Sequence, residues 1–103
     1  MKSYSILQVK ESAENSRFIM FTGLDLINRM KIKLTRDKYE TVYDGEIEEC
    51  KSDTETLEQI YMMFNIGKKP DGFNGRSLSV SDIVKLGDKF YFCDSFGFIE
   101  INF

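Results

Sequence analysis

Two hydrophobic rhythms run along this chain. Leu57, Ile60, Tyr61 and Phe64 recur at i, i+3, i+4 and i+7, which predicts a helix with one core-facing stripe. Ser52 and Glu55 ahead of it have the spacing of a capping box, and Asp53 and Glu55 suit the positive end of the helix dipole. Asn65-Ile66-Gly67 ends the pattern, with Gly67 placed to take a left-handed conformation. A second helix, shorter, is predicted over Leu24 to Met30. Thr22 stands as its N-cap, Asp25 lies in its first turn, and Leu26, Ile27 and Met30 form its stripe.

Elsewhere the period is two. Tyr4 to Val9 predicts a first strand, and Arg17 to Phe21 (RFIMF) a second that forms a hairpin with it. In Tyr39 to Ile47 (YETVYDGEI), Tyr39, Thr41 and Tyr43 alternate with polar and acidic residues, as in a half-exposed strand; Asp44-Gly45 marks a turn or bulge. Lys68 to Arg76 is a loop by composition, with turn signals at Pro70-Asp71-Gly72 and Asn74-Gly75. Ser79-Val80-Ser81-Asp82 forms a side-chain-to-backbone turn. Strands then follow at Ile83 to Leu86, Phe90 to Asp94 and Phe98 to Ile101, with short connections that specify a C-terminal β-meander. The expected architecture is a single α+β domain over residues 1–103. It has a mixed or antiparallel sheet of about five or six strands and two helices packed on one face.

Composition narrows the function more than the fold. The chain has no histidine, which removes every Ser–His, Cys–His and His-based acid–base arrangement. Cys50 and Cys93 are too few for a disulfide framework and lack metal-ligand spacing, so no metal or cofactor is expected. Cys93 falls in a strand pattern, and Cys50 lies among acids that disfavour a thiolate. Met1 to Lys10 is strand-like and mixed in polarity, unlike a secretory leader, and no apolar run approaches the roughly 18 residues of a membrane span. The expectation is a cytoplasmic protein that contacts no membrane. The ending Ile101-Asn102-Phe103 suits a free-standing protein.

The formal charge of −3 argues against a direct nucleic-acid contact, but its distribution is uneven. Arg29, Lys31, Lys33, Arg36 and Lys38 are followed at once by Glu40, Asp44, Glu46, Glu48, Glu49, Asp53, Glu55 and Glu58. The plain reading is two solvated faces that partly neutralise each other. The sharper one makes Glu40, Asp44, Glu46, Glu48 and Glu49 a docking surface for a basic partner. Phe73, an aromatic among turn residues, and Arg76 beside it are candidate partner anchors. GKKPDGFNGR lacks the order of a phosphate-binding loop and follows a helix rather than a strand. The aromatics Phe90 to Phe103 lack the basic groove of a base-stacking platform. Asp82, Asp94 and Arg76 make a catalytic or ligand-binding set only if the fold gathers them into a cleft.

IYMMFN, SLSVSDIV and DSFGF, together with YETVYDGEI, resemble the YodL-like domain family of Firmicutes and their mobile genetic elements. The resemblance implies no catalytic residues, because the family has none agreed. It implies a setting in conjugative elements, integrated elements and phages, often beside antirestriction genes. The expectation is therefore a small non-enzymatic inhibitor of a host protein, such as a CRISPR effector nuclease, that acts by steric or electrostatic occlusion. The alternatives are a module that binds a host cytoskeletal or cell-cycle protein, or an unrecognised ligand-binding protein.

Overall fold

Strand β1 (Lys2–Val9) is an interior strand, flanked by β2 (Tyr39–Ile47) on one side and β3 (Ile83–Leu86) on the other. Beyond β3 come β4 (Lys89–Asp94) and β5 (Gly97–Ile101), giving one antiparallel sheet in the order β2-β1-β3-β4-β5. The helices are α1 (Ser16–Ile19), α2 (Leu24–Arg29) and α3 (Asp53–Asn65), with a 3-10 turn at Arg36–Lys38. These elements come from a computed structural model that describes residues 1–67, 70, 73 and 75–103. The turn signals at Asp71-Gly72 and Asn74, and the cations Lys68 and Lys69, lie outside the described residues.

The α+β class, the antiparallel sheet and the C-terminal meander are as expected. The helices are not together on one face. Tyr4 and Ile6 of β1, Val84 and Leu86 of β3 and Tyr91 of β4 pack against Leu57, Ile60 and Phe64 of α3. The intervening residues Leu7, Val9, Ile83 and Phe92 face the other way, against Ile19 of α1 and Ile27 of α2. Alternation along each strand thus feeds two cores, one on either side of the sheet. Burial of each such side chain contributes about 1.5–3 kcal/mol.

α3 follows its sequence signals closely at the start. Ser52 caps it by accepting the Glu55 N–H, 3.2 Å away. Asp53 in the first turn accepts from the Tyr91 hydroxyl at 2.6 Å and pairs with Lys2 Nζ at 3.1 Å, so it ties α3 to β4 and β1. Those two contacts hold its carboxyl below the usual range. At the other end Gly67 is not left-handed; the Ile66 and Gly67 N–H groups both donate to the Met62 carbonyl.

RFIMF is not a strand. Both edges of β1 are already taken by β2 and β3, so no ladder is open to it. The segment folds as the single turn α1, then stops at Phe21, whose φ of 63° no strand residue adopts. Thr22 does not cap α2; Gly23 holds that position.

Candidate functional site

The acidic residues singled out in the sequence lie on and just beyond β2, an edge strand of the sheet. Glu40, Asp44, Glu46, Glu48 and Glu49 are all exposed. Their arrangement is governed by a β-bulge. Ile6 pairs with Tyr43 but Leu7 pairs with Thr41, so Val42 is an extra residue. Without it, Glu40, Asp44 and Glu46 share a face. With it, Glu40 lies opposite Gln8 on the α3 side, whereas Asp44 and Glu46 lie opposite Ser5 and Ser3 on the other. The same bulge sends Tyr39 into the α1–α2 core and Tyr43 into the α3 core, which corrects the simple alternation expected for this strand. Ser5 donates to Asp44 Oδ1 at 2.5 Å and steadies that carboxylate. The strip therefore rims a strand edge on both faces, where unpaired backbone groups stand ready for a partner.

The two anchors expected beside it do something else. Phe73 packs inward on the α3 core, its ring 4.8 Å from Phe64 and 6.2 Å from Tyr43. Arg76, half-buried, closes a polar knot whose other members, Gln8 and Asp82, are buried. The Gln8 side chain reads the Arg76 backbone from both directions: its Oε1 accepts the Arg76 N–H at 3.0 Å, and its Nε2 donates to the Arg76 carbonyl at 2.9 Å. Nε2 also donates to Asp82 Oδ2 at 3.1 Å, an oxygen that accepts the Ser79 N–H at 2.9 Å as well. Among the described residues no hydrogen-bond donor reaches Asp82 Oδ1; the Arg76 guanidinium lies 3.9 Å from it. Burial pushes the Asp82 carboxyl up to about 6, against the pull of the Ser79 and Gln8 donors and of Arg76.

Around this knot Ser81 takes a φ of 85°, and its Oγ accepts the Phe21 N–H at 3.0 Å. The buried Tyr39 hydroxyl donates to the Ser81 carbonyl at 2.6 Å. Burial raises the Tyr39 hydroxyl pKa, with the Asp82 charge adding to it. Cys93 is buried on the neighbouring strand, its thiol pushed up to about 12 by burial and then by Asp82 and Asp94.

Asp82 and Arg76 thus come together as the third reading required, but Asp94 does not join them. Its Oδ1 accepts the Ser95 N–H at 2.7 Å beside Gly23. With Asp82 only 1% exposed, no substrate reaches the carboxyl in this conformation. The cluster clamps the segment after α3 to β1 and β3. Gln8 carries no sequence signal: a polar residue in an alternating strand is expected to face water, and this one is buried because a loop crosses it.

Phe96, which the sequence grouped with the other C-terminal aromatics, stands apart from them in the structure. Phe96 in the DSFGF turn is fully exposed, held there by the tight β4–β5 connection with Gly97 at φ 95°. The loop aromatic expected to face outward, Phe73, packs inward, and Phe96 is the one that stands exposed. Among the described residues no set of three or more His, Cys, Asp or Glu gathers to hold a metal, and no helix is long and apolar enough to cross a membrane.

The family model described as the YodL-like domain matches residues 3–103. The chain belongs to the YodL-like domain family. The match takes in both cores of the YodL-like domain, from β1 to the residues after β5, so the polar knot and the acidic edge lie within it. No curated protein and no solved structure matches the chain.

Proposed function

We propose that this YodL-like domain is a non-enzymatic binding protein whose acidic β2 edge docks a basic surface of a host protein. The observation that carries this reading is the set of five exposed carboxylates, Glu40, Asp44, Glu46, Glu48 and Glu49, on and just after an edge strand. Carboxylates on both faces of a strand edge compete with phosphates for Lys and Arg, and they steer a basic partner from a distance. The genetic setting that the family resemblance implies favours a host defence nuclease, such as a CRISPR effector, as that partner. Inhibition is then occlusion of a basic nucleic-acid channel, and needs no chemistry from this chain.

The test is capture of partners by the tagged protein from a host lysate, followed by direct titration against the partner found. The triple variant Glu46→Lys, Glu48→Lys, Glu49→Lys is expected to abolish binding, and added salt to weaken the wild-type complex. All three side chains are exposed, so the fold tolerates the change. Unchanged affinity in the triple variant sinks the electrostatic mechanism. A stoichiometric cytoskeletal partner in place of a nuclease redirects the target while leaving the docking edge in place.

A further inference from the structure

The acidic edge leaves two other surfaces unexplained, and they complement each other. Residues 10–38 hold seven cations against four anions, and the rest of the chain holds seven against thirteen, so the net −3 divides into +3 and −6. The positive part covers the α1–α2 side of the sheet. There Phe18 is 51% exposed, and with Met30 it lines a concavity of about 440 Å³ whose rim carries Lys31, Lys33 and Lys38 against one carboxylate, Glu14, and so is net positive. Leu26, one turn before Met30, is also 51% exposed.

On the other side, α3 and the β4–β5 hairpin enclose a groove of about 420 Å³. Its floor is Tyr61, Met62 and Phe98, and Glu58 and Asp94 charge its rim; no cation among the described residues lines it. The apolar surface continues from Met62 along α3 to Ile66, which is 75% exposed, and Phe96 stands at the tip of the adjoining hairpin. Each surface has an apolar centre and a charged rim, and the two rims have opposite signs. The sheet stands between them, so they cannot meet within one molecule.

We propose that the basic α1–α2 patch of one molecule docks into the acidic α3 groove of a second copy. The contact buries Phe18 and Met30 against Tyr61, Met62 and Phe98, and sets Lys31 and Lys33 beside Glu58 and Asp94. Since the two patches differ, the interface is heterologous. Every open complex keeps one free patch and one free groove, so assembly continues past the dimer as concentration rises, to a closed ring or an open filament. The proposal is independent of the β2 edge, which takes no part in the contact.

Sedimentation velocity from about 10 μM to about 1 mM tests it, at low and at high salt. The average mass should climb beyond that of a dimer with concentration and fall with salt. Two variants then separate the halves: Lys31→Glu with Lys33→Glu removes the patch, and Glu58→Lys with Met62→Lys removes the groove. All four positions are exposed. Each variant alone should stay monomeric, and an equimolar mixture should give a one-to-one complex that grows no further, since one partner retains a groove and the other a patch. A wild-type monomer across the whole range overturns the proposal. So does association that both variants leave intact, or a mixture that does not complement. A monomer that instead binds vesicles of phosphatidylglycerol assigns the basic patch to a lipid surface and also overturns it.

Discussion

Replacing Asp82 by Asn should stabilise the protein at neutral pH and leave it unchanged near pH 4. The side chain is 1% exposed, and its Oδ2 already takes both available donors, Gln8 Nε2 and the Ser79 N–H. The asparagine carbonyl can occupy that place, and its amide then stands where the proton of the neutral acid would, facing Arg76. The carboxyl titrates at about 6 in the fold against an ordinary 3.8. A folded pKa raised above the unfolded one means that the native state binds the proton more tightly. Its stabilisation is complete below pH 4 and is lost as pH rises through about 6. Two units at about 1.4 kcal/mol each make the ionised group worth about 3 kcal/mol of lost stability above pH 7. For a domain of this size that corresponds to roughly 12 °C or more in Tm. Melting by circular dichroism at half-unit steps between pH 4.5 and pH 7.5 checks it. The wild type should lose stability along the series, and the gap to Asp82→Asn should open between pH 4.5 and pH 6.5. Asp53, whose carboxyl is held low, destabilises only on further acidification and so stays outside this window. A gap that does not vary with pH, or a wild type that gains stability toward pH 7, refutes the reasoning.

Two further outcomes follow from the cores. Phe64→Ala removes the ring that meets Tyr4, Tyr43 and Phe73 at the centre of the α3 core, and should cost about 3–5 kcal/mol in urea unfolding; a loss under about 1 kcal/mol contradicts the packing described. Cys93, buried with its thiol raised to about 12, should resist Ellman's reagent at pH 8 until the protein is unfolded, and rapid modification of the native protein counts against its burial.

How legible these features were depends on how local their causes are. α3 announced itself through a stripe, a cap and an acidic first turn within a dozen or so residues. The meander did so through short connections, so that Ile83 to Ile101 paired as read. RFIMF had the composition of a strand, and only the occupancy of both β1 edges, by segments far along the chain, denied it a ladder. The bulge at Val42 was hinted at two residues away, in Asp44-Gly45, yet its effect was large: it divided the acidic strip between two faces. Of the Gln8–Arg76–Asp82 knot, Asp82 and Arg76 were legible as members of one candidate set, but Gln8 was not; Gln8 and Arg76 meet because a loop crosses β1, and nothing near either residue encodes that crossing. Phe73 and Phe96 sit among similar turn residues, and the difference between them is whether a core lies within reach.

The interior position of β1 also sets the order in which this molecule can assemble. Tyr4 pairs with Leu86 and Lys2 with Ile47, so β1 is synthesised ahead of both its neighbours and waits until β3, some eighty residues on, has followed. The β3–β5 meander and α3 can form early from nearby contacts. Both cores, however, close only when β1 inserts between β2 and β3, a pairing of distant segments that is intrinsically slow. Until then the edge of β3 that will receive β1 is bare, and that is where chaperones, proteases and mispairing have their opportunity. Deleting residues 2–9 would therefore do more than remove one strand: it would leave β2 without a partner, parted from the three-stranded β3–β5 meander.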